Sequence, residues 1–319
     1  MAVYTEVDDD DLEKFVAQYD IGRATSCKGI AEGVENSNYL LQTDRSTYIL
    51  TLYEKRVAEA DLPFFLGLMD HLAHQGIACA TPVHARDGKT LRRLAGRPAA
   101  IVTFLQGMWP RRVHTTHCAQ LGEALAQLNL AGASYPMKRA NALSLAGWRT
   151  LFDGCRARAD SIRKGLAEEL AGELDHLAHH WPADLPAGVI HADLFPDNVF
   201  FLGDKLSGMI DFYFACNDLF VYDLAICLNA WCFETDGSFN ATKARLLVRH
   251  YDKIRRLTPG EIDALPLLAR GSAIRFLLTR LYDLLHHPKG ALVKPKDPIE
   301  YLKKLRFHRH VKTAGAYGL

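Results

Sequence analysis

Asp193, Asn198 and Asp211 are the side chains of this sequence best spaced to do chemistry together. They fall in one stretch, Val189 to Phe212, which reads V-I-H-A-D-L-F-P-D-N-V-F-F-L-G-D-K-L-S-G-M-I-D-F. Two apolar runs, Val199-Phe200-Phe201-Leu202 and Met209-Ile210, are separated by Gly203-Asp204-Lys205. That pattern predicts two short buried strands joined by a tight turn. Such a hairpin brings Asp193, Asn198 and Asp211 to one end of a small sheet. Hard oxygen donors of this kind suit Mg²⁺, which takes one or two carboxylates and completes its shell with water and phosphate oxygens. Phosphoryl transfer needs such a clamp, together with a carboxylate that orients the attacking hydroxyl. The spacing Asp193-x-x-x-x-Asn198, followed by Asp211-Phe212, matches the catalytic loop and the metal-binding Asp-Phe pair of kinases.

With its flanks, the same stretch carries a family likeness. His191-Ala192-Asp193-Leu194-Phe195-Pro196-Asp197-Asn198, then Ile210-Asp211-Phe212, Asp218 and Tyr222-Asp223-Leu224-Ala225, resembles the aminoglycoside phosphotransferase and choline kinase superfamily. Four further segments resemble the homoserine kinases built on that fold: Gly33 to Tyr39, Leu50 to Arg56, Arg275 to Asp283 and Lys294 to Pro298. The likeness runs from about Val3 to about Arg309.

It implies an α+β, bilobal protein kinase-like fold. An N-terminal antiparallel β-sheet lobe (1–107) would bind nucleotide, and a mainly helical C-terminal lobe (108–319) would carry catalysis and substrate. It also implies ATP and Mg²⁺ as cofactors and transfer of the γ-phosphoryl group to the hydroxyl of L-homoserine. In those roles Asp193 orients the hydroxyl proton, Asn198 and Asp211 hold magnesium, and His191 and Asp223 brace the loop. Asp197 has no assigned role. Two other readings stay open: a related small-molecule kinase acting on choline, methylthioribose or an aminoglycoside, and a nucleotide-binding pseudokinase. A metal-dependent phosphohydrolase built on His191 and Asp193 would want more clustered His and Asp than the sequence offers.

The elements that must position these residues can be read in order. Asp8 to Asp11 predicts a charged, capped start to a helix from Leu12 to Gln18. Gly29 and Gly33, with Ser37 and Asn38, precede the strand Tyr39 to Thr43, and a loop of this kind folds over phosphates through its N–H groups. Ser46 to Tyr53 alternates as the next strand. There, where protein kinases carry a phosphate-reaching Lys, this chain has Thr51; Lys28, Lys55 and Arg56 are the candidate substitutes. The partner helix, Glu59 to His74, has Glu59 and Asp61 at its start and then runs apolar through Leu62, Phe65, Leu66, Leu68, Met69 and Leu72, so its acidic partner stays unassigned. Thr81-Pro82-Val83 begins another strand, Asp87-Gly88 turns, and Pro98 to Leu105 is a buried strand. Phe104, Leu105 and Gly107 then stand at the lobe junction, where backbone groups would meet adenine.

Beyond Pro110 the periodicity turns helical, starting with a helix capped by Thr115 or Thr116. Helices are expected over Leu145 to Lys164, Leu166 to His180, Phe220 to Phe233, Ala241 to Arg256, Pro259 to His287 with one or two breaks, and Pro298 to His308.

The 319 residues are 49% hydrophobic and 24% charged, enough to bury a sizeable core, and the formal net charge of +1 argues against a nucleic-acid partner. Seven scattered cysteines without a C-x-x-C argue for reduced thiols. The polar N-terminus and the short apolar runs predict no signal peptide and no membrane span, so the chain reads as cytoplasmic. No oligomeric state is implied. Residues 212–319 hold 17 Lys and Arg against 10 Asp and Glu, which disfavours a polycationic substrate and suits a small molecule bearing a carboxylate. A zwitterion such as homoserine asks for an acid and an Arg. Arg275 and Arg280 are the candidates for its carboxylate, Asp218 and Glu234 for its ammonium, and Trp231 for a pocket wall.

Overall fold

The computed structural model describes residues 5–30, 36–54, 57–287 and 295–319. Gly33, Lys55, Arg56 and Lys294 therefore lie outside the described residues. Helix α1 (Asp9–Val16) begins as its acids require: the Asp8 carboxylate accepts from the Asp10 N–H at 2.9 Å, and Asp9, Asp10 and Asp11 sit at the positive end of the helix dipole.

Five antiparallel strands follow: β1 (Ala24–Gly29), β2 (Ser37–Thr43), β3 (Thr47–Leu52), β4 (Arg92–Leu94) and β5 (Arg97–Thr103), in spatial order β1-β2-β3-β5-β4. Their period-2 pattern splits the sheet between two cores. Tyr39, Leu41, Leu50, Leu52, Ala99 and Ile101 pack with Leu12, Phe15 and Val16 of α1 on one face. Ala100, Val102 and Tyr53 join the main core on the other, against helix α2 (Leu62–His74). A 3-10 turn, Glu59–Asp61, leads into α2.

The strand expected at Thr81 is reduced to single bridges around Pro82. Val83 and Thr81 still bond to Ile101 and Thr103, but Pro82 has no N–H to continue a ladder.

From Phe104 the chain crosses to the helical part. Met108 and Phe201 exchange two backbone hydrogen bonds of 2.9 Å, and the Ser207 hydroxyl donates to the Gln106 carbonyl. This crossing lies so close to the next hairpin that a Cβ on Gly107 (φ 114°) would stand 2.5 Å from the Phe201 carbonyl oxygen. One on Gly208 would strike Leu105 at 2.6 Å.

Helices α3 (Thr115–Gly132), α4 (Leu145–Ile162) and α5 (Leu166–His180) come next. His114, rather than a threonine, takes the N-cap position of α3, and its N–H donates to His117 Nδ1. Two small sheets follow: β6 (Ala187–Ile190) paired with β9 (Cys216–Leu219), and the hairpin β7 (Val199–Leu202) with β8 (Lys205–Met209). Helices α6 (Phe220–Trp231), α7 (Ala241–Ile254), α8 (Pro259–Leu285) and α9 (Pro298–His310) complete the core.

α8 runs unbroken for 27 residues, where one or two breaks were expected. Thr258 and Glu261 close a capping box at its start. Pro266 is tolerated because Leu265, Leu268 and Ala269 around it are fully buried, and packing outweighs one lost backbone bond. Among the described residues no helix is long and apolar enough to cross a membrane, and the seven cysteines are free thiols.

Candidate active site

Asp193 lies in the turn that leaves β6, and a mesh of long-range bonds fixes that turn. The Asp223 carboxylate, on α6, accepts the His191 N–H at 2.8 Å and the Ala192 N–H at 2.9 Å. Arg275, from the middle of α8, donates to the Ala192 carbonyl. Trp231 Nε1 donates to the Leu194 carbonyl at 2.8 Å. The Asp193 N–H donates to His191 Nδ1 at 3.3 Å, while His191 Nε2–H donates to the Ile210 carbonyl at 3.0 Å. Ala192 is thereby held at φ 64°, a left-handed conformation unusual for alanine that persists only where surroundings dictate it.

Burial sets the charges of this mesh. It lowers the His191 pKa to about 4, so the ring is neutral near pH 7, with the Nε2–H tautomer that its partners require. Burial raises the Asp223 pKa to about 6, against the opposing pull of the two N–H donors, of the Asn129 side chain and, least of these, of Arg275.

Asn198 ends a 3-10 turn, Pro196–Asn198, just before β7. Its Nδ2 donates to the Asp193 carbonyl at 2.8 Å and stands 3.4 Å from the Asp193 carboxylate. The register Val199↔Met209 and the Ile210 N–H to Asn198 carbonyl bond of 3.0 Å put Asp211 two residues beyond the end of the hairpin. Asp211 adopts φ 65°, which turns the chain into the short helix Phe212–Phe214. A hairpin thus brings the Asp193, Asn198 and Asp211 segments to one end, although β8 begins four residues earlier than the apolar run implied.

On the sheet side, Asn38 Oδ1 accepts the Thr51 hydroxyl at 2.8 Å. Ser37 is fully buried and donates to Glu54, which also faces Arg97, so Ser37 belongs to the sheet interior and not to a phosphate loop. Gly29 is exposed at the end of β1, and Phe104, 43% exposed, stands at the crossing with Leu105 and Gly107 half-buried.

A family model described as the phosphotransferase enzyme family matches residues 26–257. A homoserine kinase of Paramagnetospirillum magneticum is 65% identical over 325 residues, covering all of both chains. One from Parvibaculum lavamentivorans is 66% identical over 319 residues, covering all of this chain and 99% of the relative. The chain belongs to the homoserine kinases of the phosphotransferase enzyme family. Solved structures agree on the fold. An amicoumacin kinase in complex with AMP-PNP and Ca²⁺ superposes with a TM-score of 0.69 at 16% identity, covering 95% of this chain and 92% of its own. A spectinomycin phosphotransferase in complex with ADP gives 0.66 at 15% identity, covering 96% and 95%.

For a homoserine kinase family member, the residues that would meet the amino acid matter most, and here the structure redraws the sequence reading. Trp231 is fully buried and anchors the Leu194 carbonyl, so it walls no open pocket. Arg275 is 1% exposed and lies 4.5 Å from the Phe276 ring and 5.6 Å from the Phe214 ring; it holds the loop and does not face a cleft. Glu234 pairs with Lys243 at 2.6 Å and with Asn240, and those bonds lower its pKa. Asp218 accepts from Asn141 at 2.6 Å. Arg280 does pair with an acid, Glu300 at 2.6 Å, and stacks 4.5 Å over the Tyr301 ring.

The start of α9 borders the catalytic loop, with Lys296 Nζ 3.8 Å from the Asp197 carboxylate and 5.6 Å over the Phe195 ring. Phe195 meets Phe276 edge to face at 4.8 Å and Phe276 meets Tyr301 at a tilt at 5.3 Å, linking that loop to the Arg280–Glu300 pair. Glu300 and Tyr301 escaped the sequence reading, which sought partners close in sequence to the catalytic hairpin. The Lys-Pro-Lys-Asp-Pro run just before them was the available signal.

Proposed function

We infer that this protein is a homoserine kinase, transferring the γ-phosphoryl group of ATP to the side-chain hydroxyl of L-homoserine to give O-phospho-L-homoserine. The observation that carries this reading is identity of 60–66% along the full length to relatives named homoserine kinase. In our reading ATP lies between an N-terminal lobe (1–107) and a C-terminal lobe (108–319), in the cytoplasm, with Phe104, Leu105 and Gly107 beside the base and Gly29 and Asn38 toward the phosphates.

Asp193 accepts or orients the hydroxyl proton. The donor set fits magnesium: Asn198 commits its Nδ2 to Asp193 and keeps its carbonyl oxygen as a hard donor, and Asp211 adds a carboxylate. Among the described residues no three His, Cys, Asp or Glu side chains gather as a cage, in keeping with an ion whose remaining ligands are phosphate and water. When bound with ATP, magnesium neutralises charge that builds on the phosphates.

The amino-acid end calls for one group of each sign, and Arg280 with Glu300 supplies them. Arg280→Met is expected to raise the KM for homoserine about 10–100-fold, the value of a charge-assisted hydrogen bond, with the KM for ATP changed less than about twofold. Equal changes in both would remove Arg280 from substrate recognition. The broader test is ADP release from Mg-ATP against homoserine, choline, methylthioribose and kanamycin. Turnover with homoserine alone is expected; turnover confined to another alcohol overturns the assignment.

A further inference from the structure

Thr51 stands where a kinase strand would carry a cation, and α2 has no buried acid to match one. What replaces that pair is visible in the segment after Asp211. Tyr213, two residues on, is grasped from the sheet side: its hydroxyl lies 3.1 Å from that of Tyr53, just past the end of β3. The two rings meet edge to face at 5.4 Å, and Phe65 of α2 meets the Tyr213 ring the same way at 5.7 Å.

A second grip comes from Arg139, in the connection before α4. Its Nε donates to Asp61 at the entrance to α2 at 2.8 Å, and its Nη1 to the Ala215 carbonyl at 3.1 Å. Its guanidinium lies 4.9 Å over the Phe65 ring. Its backbone exchanges bonds with Asn217, receiving the Asn217 N–H at 2.7 Å and donating to the Asn217 side chain at 2.8 Å. Arg139 and Asp61 keep only 22% and 35% of their side-chain surface, so water screens the pair less than at an open surface.

We propose that Tyr213 and Arg139 are positioning residues for Asp211, clamping segment 211–217 to β3 and α2 and so performing the lobe-joining task left vacant at Thr51. The geometry explains why two unrelated contacts are needed. Asp211 sits in a left-handed conformation that neighbours must hold, and the chain on its C-terminal side has only the short helix Phe212–Phe214 to stiffen it. Tyr213 fixes that helix to the sheet, and Arg139 fixes its exit at Ala215. Movement of either grip would swing the Asp211 carboxylate relative to Asn198, whose place is set independently by Asp193 and the hairpin.

The proposal rests on the reading of Asp211 as a metal ligand, but not on the acceptor alcohol. Its test therefore measures AMP-PNP binding by calorimetry on the full chain, with and without Mn²⁺, in Tyr213→Phe, Arg139→Met and Arg139→Lys. Tyr213→Phe removes one oxygen and keeps the ring, and should weaken Mn²⁺-dependent binding about fivefold to tenfold while metal-free binding changes less than about twofold. Arg139→Met should do at least as much, with part of the affinity restored in Arg139→Lys. In turnover, kcat and the metal requirement should move and the KM for homoserine should not.

If Arg139→Met does not fold, Tyr213→Phe alone decides. Folded variants whose Mn²⁺-dependent and metal-free binding change equally, or not at all, overturn the proposal. A native protein that binds AMP-PNP no better with Mn²⁺ would instead overturn the metal assignment of Asp211, and this inference with it.

Discussion

Asp193→Asn is expected to lower kcat with Mg-ATP and homoserine at least about 10²-fold, the loss associated with a positioned proton acceptor. The substitution is nearly isosteric and spares what holds the loop. The backbone bonds from Asp223, Arg275, Trp231 and Asn198 all terminate on main-chain atoms of residues 191–194. Stability should therefore change little, and the KM for ATP should stay within about threefold, because an amide can still accept a hydrogen bond but not a proton. Calorimetric AMP-PNP binding and ADP release separate the two effects. A variant retaining more than a third of native kcat would take Asp193 out of the chemistry.

Much of this arrangement was legible because it is local. His191 to Asn198 and the hairpin after it place their own polar groups at the ends of buried strands, so residue type and a period of two suffice to read them. Strands β2, β3 and β5 were legible for the same reason and Asp8 announced α1, whereas β1, without a buried residue, and the three-residue β4 were not. Other features depend on partners far along the chain. β6 and β9 are four residues each, and the polar Asn217 and Asp218 in β9 hide its pairing with Val189 and Gly188. Arg275 looked like a cation in search of a ligand, since an apolar helix gives no sign that its partner is a carbonyl 83 residues away. Trp231 misled likewise, because an indole can wall a pocket or, as here, tie down a loop with its one N–H.

Glu234 is held by Lys243 and Asp218 by Asn141, and Arg280 and Glu300 are likewise paired to each other, Glu300 to Lys304 as well. Closeness in sequence does not show how a side chain is paired. Charge counting over residues 212–319 fared no better at the level of single residues. Several of those cations are spent on internal pairs such as Arg270–Glu173, Arg306–Glu169 and Arg255–Glu261.

Arg275→Met should cost nearly as much activity as loss of Asp193 while removing no atom that touches substrate. Arg275 holds the Ala192 carbonyl and is the charge opposing Asp223, which is itself fully buried. Without it the carbonyl is unpaired, Ala192 has less to keep it at φ 64°, and Asp193 shifts. A displacement of about 1 Å at a reacting group can lower the rate about 10²-fold, so kcat should fall by that order with both KM values little changed. Leaving the buried Ala192 carbonyl without its donor costs about 1–3 kcal/mol. That corresponds to a fall in Tm of very roughly 2–5 °C.

The pH dependence gives the sharper test. Asp223 has a pKa of about 6 when folded, against about 3.9 unfolded, so the folded state binds the extra proton between those values. This group's contribution to stability therefore declines as pH rises through about 6, and above it the buried carboxylate depends on its compensating partners. The other titratable groups whose charge interactions involve Asp223 are Cys227, Cys216 and Tyr251, each with its pKa raised by burial and so uncharged near neutrality. His191, with its pKa near 4, is neutral there as well. Arg275 is thus the one charge of this set that responds to the ionisation of Asp223.

The Tm deficit of Arg275→Met should consequently be larger at pH 8 than at pH 5, where Asp223 is protonated in both proteins. Activity runs the other way in the native protein. Protonating Asp223 removes an acceptor from the His191 and Ala192 N–H groups, so kcat should fall on the acid side with a midpoint near pH 6. In Arg275→Met that midpoint should move upward, and Arg275→Lys should return part of it. A Tm deficit that is the same at pH 5 and pH 8, with an unshifted acid limb, would mean that Arg275 acts only through packing against Phe276 and Phe214.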